Sequence, residues 1–258
     1  MTKREKELAK IWDYAVKLMY GGEYVRSLAA LLGRQKPDKL IDVACGTGFP
    51  AIELSKRHGL VPLCVDKSEE MLTCFKKNAE EVGVELVPIQ CAWSELPARV
   101  GSRFDAVLCR GNSLIYAKSW AKAVLEPAEA YDEICVSLKA FYDILKPGGS
   151  LYVDTISERE LLLPNPSSEV FARTRINGSE VSGAFFFEKD FENKSRKWRS
   201  ELVFWKDRKI VDSRRFSCRG YLLMPGELQR LLRETGFREV EPVRLKGERF
   251  YDAFLARK

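Results

Sequence analysis

The chain has 258 residues, of which 45% are hydrophobic and 31% charged, so it has enough apolar material for one sizeable core. These fractions exclude a disordered tail, and 17 glycines with 11 prolines are ordinary, which excludes fibrous and low-complexity proteins. No apolar run reaches the roughly 18 residues that a membrane-spanning helix needs. The charged N-terminus has no apolar secretory segment behind it. We therefore expect a cytoplasmic protein without a membrane partner.

Cysteine and histidine usage limits the chemistry further. None of the seven cysteines forms a C-x-x-C pair, and most lie in apolar runs, so we expect small buried side chains in a reducing compartment. His58 is the single histidine, which leaves almost no material for a zinc site or a Ser-His-Asp triad. We predict no metal, and an exposed position for His58 at the end of a helix.

The formal net charge of +6 is concentrated in residues 189–219, which contain eleven lysines and arginines but only five aspartates and glutamates. The remainder of the chain is balanced, with 32 residues of each sign. The simpler interpretation of this basic segment is that it forms the solvated outer face of a sheet. The alternative is that it attracts an anionic partner such as nucleic acid.

The first half of the chain has a regular alternation of elements. Apolar spacing predicts two helices up to about Leu32, closed by Gly33 and Pro37, which would form an N-terminal helical cap over residues 1–37. Helices are then predicted over about 50–57, 68–82 and 126–144, and strands over 39–45, 60–65, 85–89, 104–109 and 150–154. Strands that alternate with helices predict a mostly parallel sheet with helices on both faces.

After Asp154 the pattern changes to consecutive strands. We predict strands over 170–176, 180–187, 197–205 and 210–218, with Asn177-Gly178 as a hairpin turn. This antiparallel β-meander would be an insertion over residues 157–219. A helix over 225–235 and an antiparallel pair of strands, 239–244 and 249–256, would complete the α/β domain of residues 38–156 and 220–258.

The most informative motif is the loop Asp42-Val43-Ala44-Cys45-Gly46-Thr47-Gly48, because it follows a predicted strand and opens a helix. Small residues there let the backbone approach a bound nucleoside cofactor. Asp66 ends the next strand, where a carboxylate can accept both ribose hydroxyls. A dinucleotide site would need G-x-G-x-x-G, but Phe49 occupies the third glycine position. A cofactor without phosphates fits better, and Asp42 suits an ammonium or sulfonium group.

These motifs resemble those of class I S-adenosylmethionine-dependent methyltransferases. Besides Asp42 to Gly48 and Asp66, the resemblance is carried by Lys146-Pro147-Gly148-Gly149 and by Tyr221-Leu222-Leu223 before Glu234-Thr235-Gly236-Phe237. It spans about residues 38–156 and 220–256. It implies a Rossmann-like fold with a seven-stranded sheet, and S-adenosylmethionine (SAM) as the methyl donor.

A narrower resemblance is to glycine N-methyltransferases and related small-molecule N-methyltransferases. Its motifs are Ala44 in place of the first glycine, Cys91-Ala92-Trp93, Arg110-Gly111-Asn112-Ser113 and Tyr20-Gly21-Gly22-Glu23. It implies cofactor contacts from Asp42, Ala44, Gly46, Thr47, Gly48, Asp66, Lys67, Met71, Ala92, Trp93 and Arg110. It implies that Asn112, Tyr20 and Tyr116 align a small-molecule acceptor, with Asn112 and Tyr20 as the catalytic pair.

One departure bears on the acceptor. The related enzymes carry an arginine just after the fifth strand that pairs with the glycine carboxylate, whereas this chain has Ile156, with Arg159 three residues displaced and Arg26 out of register. Glycine or sarcosine is therefore a doubtful acceptor, and another nucleophilic nitrogen is favoured. An RNA or protein acceptor, a non-catalytic SAM-binding regulator and a nicotinamide oxidoreductase stay open as alternatives. The oligomeric state, a homodimer included, is also open.

Overall fold

A computed structural model describes residues 3–35, 37–117, 126–176, 179–207 and 209–258. The chain begins with two helices, α1 over Lys3–Met19 and α2 over Gly22–Gln35. Helix α2 runs through Gly33, so the prediction that this glycine closes the helix is wrong. Burial of the neighbouring Leu31 and Leu32 outweighs the helix cost of a glycine, about 1 kcal/mol.

The larger sheet contains seven strands, which are β1 Leu40–Asp42, β2 Leu63–Asp66, β3 Ile89–Gln90, β4 Phe104–Cys109, β5 Leu145–Ile156, β10 Glu239–Val243 and β11 Tyr251–Arg257. Their order across the sheet is β10-β11-β5-β4-β1-β2-β3. Strands β1 to β5 pair in parallel, while β11 runs antiparallel to both β5 and β10. The helices between them are α3 Ala51–His58, α4 Glu69–Glu81, α5 Leu96–Val100, α6 Pro127–Ile144, α7 Glu158–Leu162 and α8 Pro225–Thr235.

The strands predicted over 39–45 and 60–65 are shorter in the structure, Leu40–Asp42 and Leu63–Asp66, and two further elements of this sheet differ from the prediction. The strand expected over 85–89 shrinks to Ile89–Gln90 because Pro88 has no N–H to donate and Val87 is exposed. Strand β5, predicted over 150–154, begins at Leu145 instead, and Lys146–Gly149 lies within it. It forms a bulge there, since Phe104 pairs with Leu145 and Ala106 already with Ser150.

A second sheet contains the strands β6 Ser167–Ile176, β7 Ser179–Asp190, β8 Ser195–Lys206 and β9 Lys209–Tyr221. They pair in chain order as an antiparallel meander. The four predicted strands are confirmed, each longer than expected. The predicted turn at Asn177-Gly178, and Arg208 in the last connection, lie outside the described residues. The fold class, a mostly parallel sheet with an antiparallel meander, is confirmed.

Helix α1 joins the two sheets. Trp12 packs edge-on against Trp198 of β8, with ring centroids 5.8 Å apart, and Tyr14 packs against Phe204 at 6.3 Å. On its other side, Asp13 accepts a hydrogen bond from Asn78 of α4 at 2.8 Å. The meander and the N-terminal helix therefore enclose the ends of the parallel strands.

Most of the cysteines are buried and the histidine is exposed, as predicted. Cys45, Cys64, Cys91, Cys109 and Cys218 are buried, and the other two cysteines are half-buried; among the described residues no disulfide joins any of the seven. His58 is exposed at the end of α3, as predicted. Within the described ranges, no helix is both long and apolar enough to cross a membrane.

Candidate active site

A cavity lies at the carboxyl ends of β1, β2 and β4, beneath the meander. This is where open α/β sheets bind ligands. One end is walled by the loops that follow the parallel strands, and the other by side chains of α1, the meander and the start of β11. The lining residues are Trp12, Val16, Val43, Ala44, Cys45, Gly46, Thr47, Phe49, Asp66, Lys67, Met71, Trp93, Arg110, Gly111, Asn112, Ser113, Tyr116, Phe185, Phe187, Arg196, Trp198, Phe250 and Tyr251.

The glycine loop after β1 is held by backbone hydrogen bonds. Cys45 donates to the Val65 carbonyl at 3.1 Å, and Gly48 donates to the Cys45 carbonyl at 2.9 Å. Gly48 has a φ of 105°, and a Cβ there would lie 2.4 Å from Cδ1 of Ile52. Gly46 has a φ of 52°. The tight turn therefore needs glycine at both positions.

Asp42 at the end of β1 is fully buried. Its Oδ1 accepts from the Ala44 amide at 3.2 Å, whereas its Oδ2 has no hydrogen-bond partner among the described residues. Burial raises the pKa of Asp42 to about 7, against an opposing effect from the nearby Arg110 guanidinium. A buried carboxylate oxygen without a partner is costly unless a ligand supplies a donor.

Asp66 at the end of β2 ties two segments together. Its Oδ2 accepts from the Gly46 amide and its Oδ1 from the Ser68 amide, each at 2.9 Å. Ser68 itself caps α4 by accepting from the Met71 amide at 3.3 Å. Burial raises the pKa of Asp66, while these amide donors oppose the shift. The carboxylate thus fixes the glycine loop against α4 at the edge of the cavity.

Arg110 follows β4 and is buried among aromatic rings. Its Nε donates to the Tyr24 hydroxyl at 2.9 Å and its Nη1 to the Phe49 carbonyl at 3.0 Å. The guanidinium carbon lies 5.1–5.3 Å from the ring centroids of Tyr20, Tyr24 and Phe49. Its Nη2 is buried and has no partner in the described part of the chain. Arg110 therefore lines the cavity with a donor to spare.

Asn112 adopts a left-handed conformation, with φ 55°, which asparagine tolerates better than most residues. Asp154 of β5 holds this turn by accepting from the amides of Gly111 at 2.9 Å and Asn112 at 2.6 Å. The Asn112 side chain lies 3.4 Å from Thr155 Oγ1, whose proton is donated to the Leu223 carbonyl at 2.7 Å. Burial, reinforced by Glu248, raises the pKa of Asp154 to about 7.

The opposite end of the cavity is aromatic. The meander contributes Phe185, Phe187 and Trp198, and the start of β11 contributes Tyr251 with Phe250 before it. Trp198 Nε1 donates to the hydroxyl of Tyr116, which spans from the first sheet to the second. Within this wall lies a buried ion pair between Arg196 and Glu160.

Comparison with known proteins identifies the segment that contains strands β1 to β4. Residues 40–149 match the family model described as "Methyltransferase domain", and the fold around the matched segment is the one described above. Residues 40–149 form a class I methyltransferase domain.

Three relatives illustrate how far the similarity of this methyltransferase domain extends. A glycine/sarcosine N-methyltransferase of Aphanothece halophytica is 32% identical over 116 residues, 45% of this chain and 39% of that protein. A ubiquinone biosynthesis O-methyltransferase of Ruegeria pomeroyi is 28% identical over 238 residues, covering 91% of this chain and 72% of that protein. A solved S-adenosylmethionine-dependent methyltransferase from Clostridium acetobutylicum has a TM-score of 0.67 at 16% identity, with 97% of each chain covered.

The structural likeness extends over nearly the whole chain and supports the fold, meander included. The sequence likeness is narrower, because this chain spans only 39–51% of the length of the glycine N-methyltransferases it matches first. The comparisons also include both N- and O-methyltransferases. They identify the methyltransferase domain and leave the acceptor open.

Most of the predicted cofactor residues line the cavity, namely Ala44, Gly46, Thr47, Asp66, Lys67, Met71, Trp93 and Arg110. Asp42 and Gly48 lie just behind the wall, and Ala92 does not line it. The Lys67 ammonium group donates hydrogen bonds to the backbone carbonyls of Tyr116 and Ala117. The Nε1 of Trp93 donates a hydrogen bond to the backbone carbonyl of Val43. Both side chains are therefore anchored by the protein itself.

Two of the three predicted acceptor residues line the cavity. Asn112 and Tyr116 line the cavity, whereas Tyr20 does not. Tyr20 lies behind Arg110, with its hydroxyl 3.5 Å from Glu248 Oε1, so it reaches the site only through Arg110. Arg159, three residues from the position of the missing arginine, pairs with Glu169 at 2.9 Å on the surface and does not line the cavity.

Sequence reasoning missed the residues that approach the cavity from distant segments. These are Trp12, Phe250, Tyr251 and the pair Glu160 and Arg196. Phe185, Phe187, Arg196 and Trp198 alternate with exposed or half-buried residues along β7 and β8. Such alternation shows that one face is buried, but it does not show what that face covers.

Proposed function

We propose that this chain transfers a methyl group from SAM to a nucleophilic nitrogen of a small molecule. The observation that carries the proposal is a pair of buried, unpartnered polar atoms beside the glycine loop, Asp42 Oδ2 and Arg110 Nη2. The methionyl part of SAM carries an ammonium and a carboxylate, and these are the groups that such a carboxylate and guanidinium bind. The cofactor therefore completes two hydrogen-bonding groups that the protein leaves unsatisfied.

The remaining cofactor contacts follow from the loop and its neighbours. Ala44, Gly46 and Thr47 line the cavity with small residues, which let the cofactor approach the backbone of the loop. Asp66 would accept the ribose hydroxyls. Met71 and Trp93 would pack on the adenine, with the Ala92 amide beside it.

When bound, SAM supplies an electrophilic methyl group on a sulfonium. The chain's own residues then act mainly by position. Asp154 fixes the turn that holds Asn112, so the Asn112 side chain would orient the acceptor nitrogen. Phe185, Phe187 and Trp198 would exclude water from the reacting atoms. A neutral amine needs no strong base to attack the methyl group of a sulfonium. This agrees with a cavity whose described lining contains no histidine.

The meander is proposed as the substrate lid and residues 1–37 as a cap on the same cavity. Trp12 and Val16 of α1 line the cavity alongside Phe185, Phe187 and Trp198 of the meander. Lys189 and Arg196, two of the basic residues of segment 189–219, are buried with Glu160 instead of being presented to solvent. Their burial supports a small acceptor over a nucleic acid or protein acceptor.

The first test is calorimetric titration of SAM, S-adenosylhomocysteine and NADH into the wild type and Asp42→Asn. The substitution keeps the oxygen that Ala44 contacts and removes the charge, so it should weaken the two adenosyl ligands by about 30-fold or more. Asp143→Asn, on the exposed face of α6, is the control and should bind them as the wild type does. Binding of NADH alone, or of no ligand, would overturn the proposal.

A further inference from the structure

Arg196 and Glu160 form a fork-to-fork pair at the acceptor end of the cavity. The Nε and Nη2 of Arg196 donate to the two oxygens of Glu160, each at 2.7 Å, and both side chains are about 95% buried. Phe187 supports the guanidinium, with 4.6 Å between its ring centroid and Cζ of Arg196. Glu160 is held in turn by the Ser157 side chain, which caps α7, and its carbonyl accepts from Lys189.

This pair leaves one donor group available. Arg196 lines the cavity, and its Nη1 makes no hydrogen bond to any residue of the described ranges. Tyr251 also lines the cavity near Arg196. Because Glu160 already neutralises the guanidinium, Nη1 suits an uncharged oxygen acceptor, and the site gains little from a second carboxylate.

The charge of the surroundings points the same way. Each guanidinium of the described cavity lining lies near buried carboxyl groups. Arg196 pairs with Glu160, and Arg110 lies near Asp154 and Glu248. Neither guanidinium therefore offers an unbalanced positive charge to a free carboxylate of the acceptor.

We propose, on the basis of the methyltransferase function above, that Arg196 is a specificity-determining residue that binds a hydroxyl oxygen of the acceptor. The acceptor is then an amino alcohol whose carbon skeleton packs on Phe185, Phe187 and Trp198. Glu160 is a positioning residue, because it orients Arg196 without touching the acceptor.

The experiment uses three amines that differ in one substituent: cyclohexylamine, trans-2-aminocyclohexanol and trans-2-aminocyclohexanecarboxylate. Release of S-adenosylhomocysteine gives kcat/KM for each, and calorimetry on the S-adenosylhomocysteine complex gives their binding. We expect the hydroxyl to raise kcat/KM by about tenfold or more, the effect of one hydrogen bond to a charged group. The carboxylate should not exceed the unsubstituted amine.

The variant Glu160→Gln/Arg196→Met removes both charges together, so no unpaired charge is left buried. It should reduce the hydroxyl preference to about one while its affinity for S-adenosylhomocysteine, which reports folding, stays within about twofold. Arg199→Met, on the outer face of the same strand, is the matched control and should keep the preference.

Three results would overturn the inference while leaving the methyltransferase function intact. They are a preference for the carboxylate, a hydroxyl preference that survives in the double variant, and a wild type that binds S-adenosylhomocysteine but none of the three amines. Failure of the wild type to bind S-adenosylhomocysteine would overturn both proposals, so the two failures are distinguishable.

Discussion

The two ends of the cavity are built in different ways. The proposed cofactor end consists of backbone turns that follow parallel strands, with carboxylates such as Asp66 fixing one turn against another. The acceptor end consists of side chains from α1, α7, the meander and β11, fixed by aromatic packing and by the Glu160–Arg196 pair. A substitution at the cofactor end should therefore act by distorting the backbone of the loops. A substitution at the acceptor end should act by removing the partner of a side chain.

The largest effect is expected at the acceptor end. Glu160→Ala leaves the Arg196 guanidinium buried without its counter-charge, so the free energy of unfolding should fall by about 3–5 kcal/mol. Arg159→Ala is the control on the same helix, because its ion pair with Glu169 is exposed and should contribute less than about 1 kcal/mol. Urea denaturation measures both. Equal losses in the two variants would mean that the buried pair does not hold the acceptor end together.

At the cofactor end, Gly48→Ala tests the turn itself. The new Cβ meets Ile52 at 2.4 Å in a backbone with φ 105°, so unfolding free energy should fall by about 2–4 kcal/mol. Gly59→Ala is the control, because its φ of 65° lies in the left-handed region and it has open space around it; it should lose only about 1 kcal/mol. The difference between the variants, again by denaturant unfolding, measures the crowding and the extra strain of φ 105° together. A similar loss in both variants would contradict the requirement for glycine at position 48.

Protonation of Asp42 should make ligand binding at the cofactor end depend on pH. Burial raises the pKa of Asp42 to about 7. Below that pH the carboxyl is protonated and cannot pair with an ammonium, so SAM affinity should rise by about tenfold per pH unit up to pH 7 and then level off. Calorimetry between pH 5.5 and about 8 measures this, and a flat profile in the wild type would contradict it.

The same group has the opposite effect on the protein without ligand. Because its pKa is higher in the folded state than in the unfolded state, the folded state binds more protons between about pH 4 and 7. The contribution of Asp42 to stability is therefore greatest at low pH and falls as the pH rises through 7. Unfolding free energy of the wild type relative to Asp42→Asn should fall between pH 5 and 8.

The smallest effect is expected where the two ends meet. Asn112→Gly keeps the left-handed turn and removes the side chain, so turnover should fall about tenfold, the effect of one lost hydrogen bond, with cofactor affinity nearly unchanged. Asn112→Ala should add a loss of stability, because alanine is strained at φ 55°. Equal losses in turnover and in SAM affinity would exclude an acceptor role for Asn112.

The contrast between the two ends also accounts for what could be predicted from the sequence. The residues proposed for the cofactor lie close together in the chain, and the strand-loop-helix order around Gly46 and Gly48 predicts their place at the sheet edge. Sequence spacing does not reveal Arg196 and Glu160, because 36 residues separate them and their contact depends on how the meander folds back. Tyr20 was predicted from a local motif, but its place behind Arg110 follows from the packing of two helices.

The misplaced strand has an equally local cause. The segment 85–89 has the apolar content of a strand, yet Pro88 cannot donate to β2 and only Ile89 and Gln90 pair with it. In the meander, by contrast, each strand is longer than predicted, because polar residues at its ends continue the ladder. Hydrophobic content therefore located the strands, while hydrogen-bonding capacity set their lengths.

Along β8, residues facing the cavity alternate with residues facing solvent: Arg196 and Trp198 are buried, while Lys197 and Arg199 are exposed. The meander pairs with no strand of the parallel sheet in the described part of the chain. Single substitutions at alternate positions of β7 and β8 can therefore remodel the acceptor wall without displacing the glycine loop. On the proposed function, descendants of one ancestral gene would diverge first in the compound they methylate and only much later in their methyl donor.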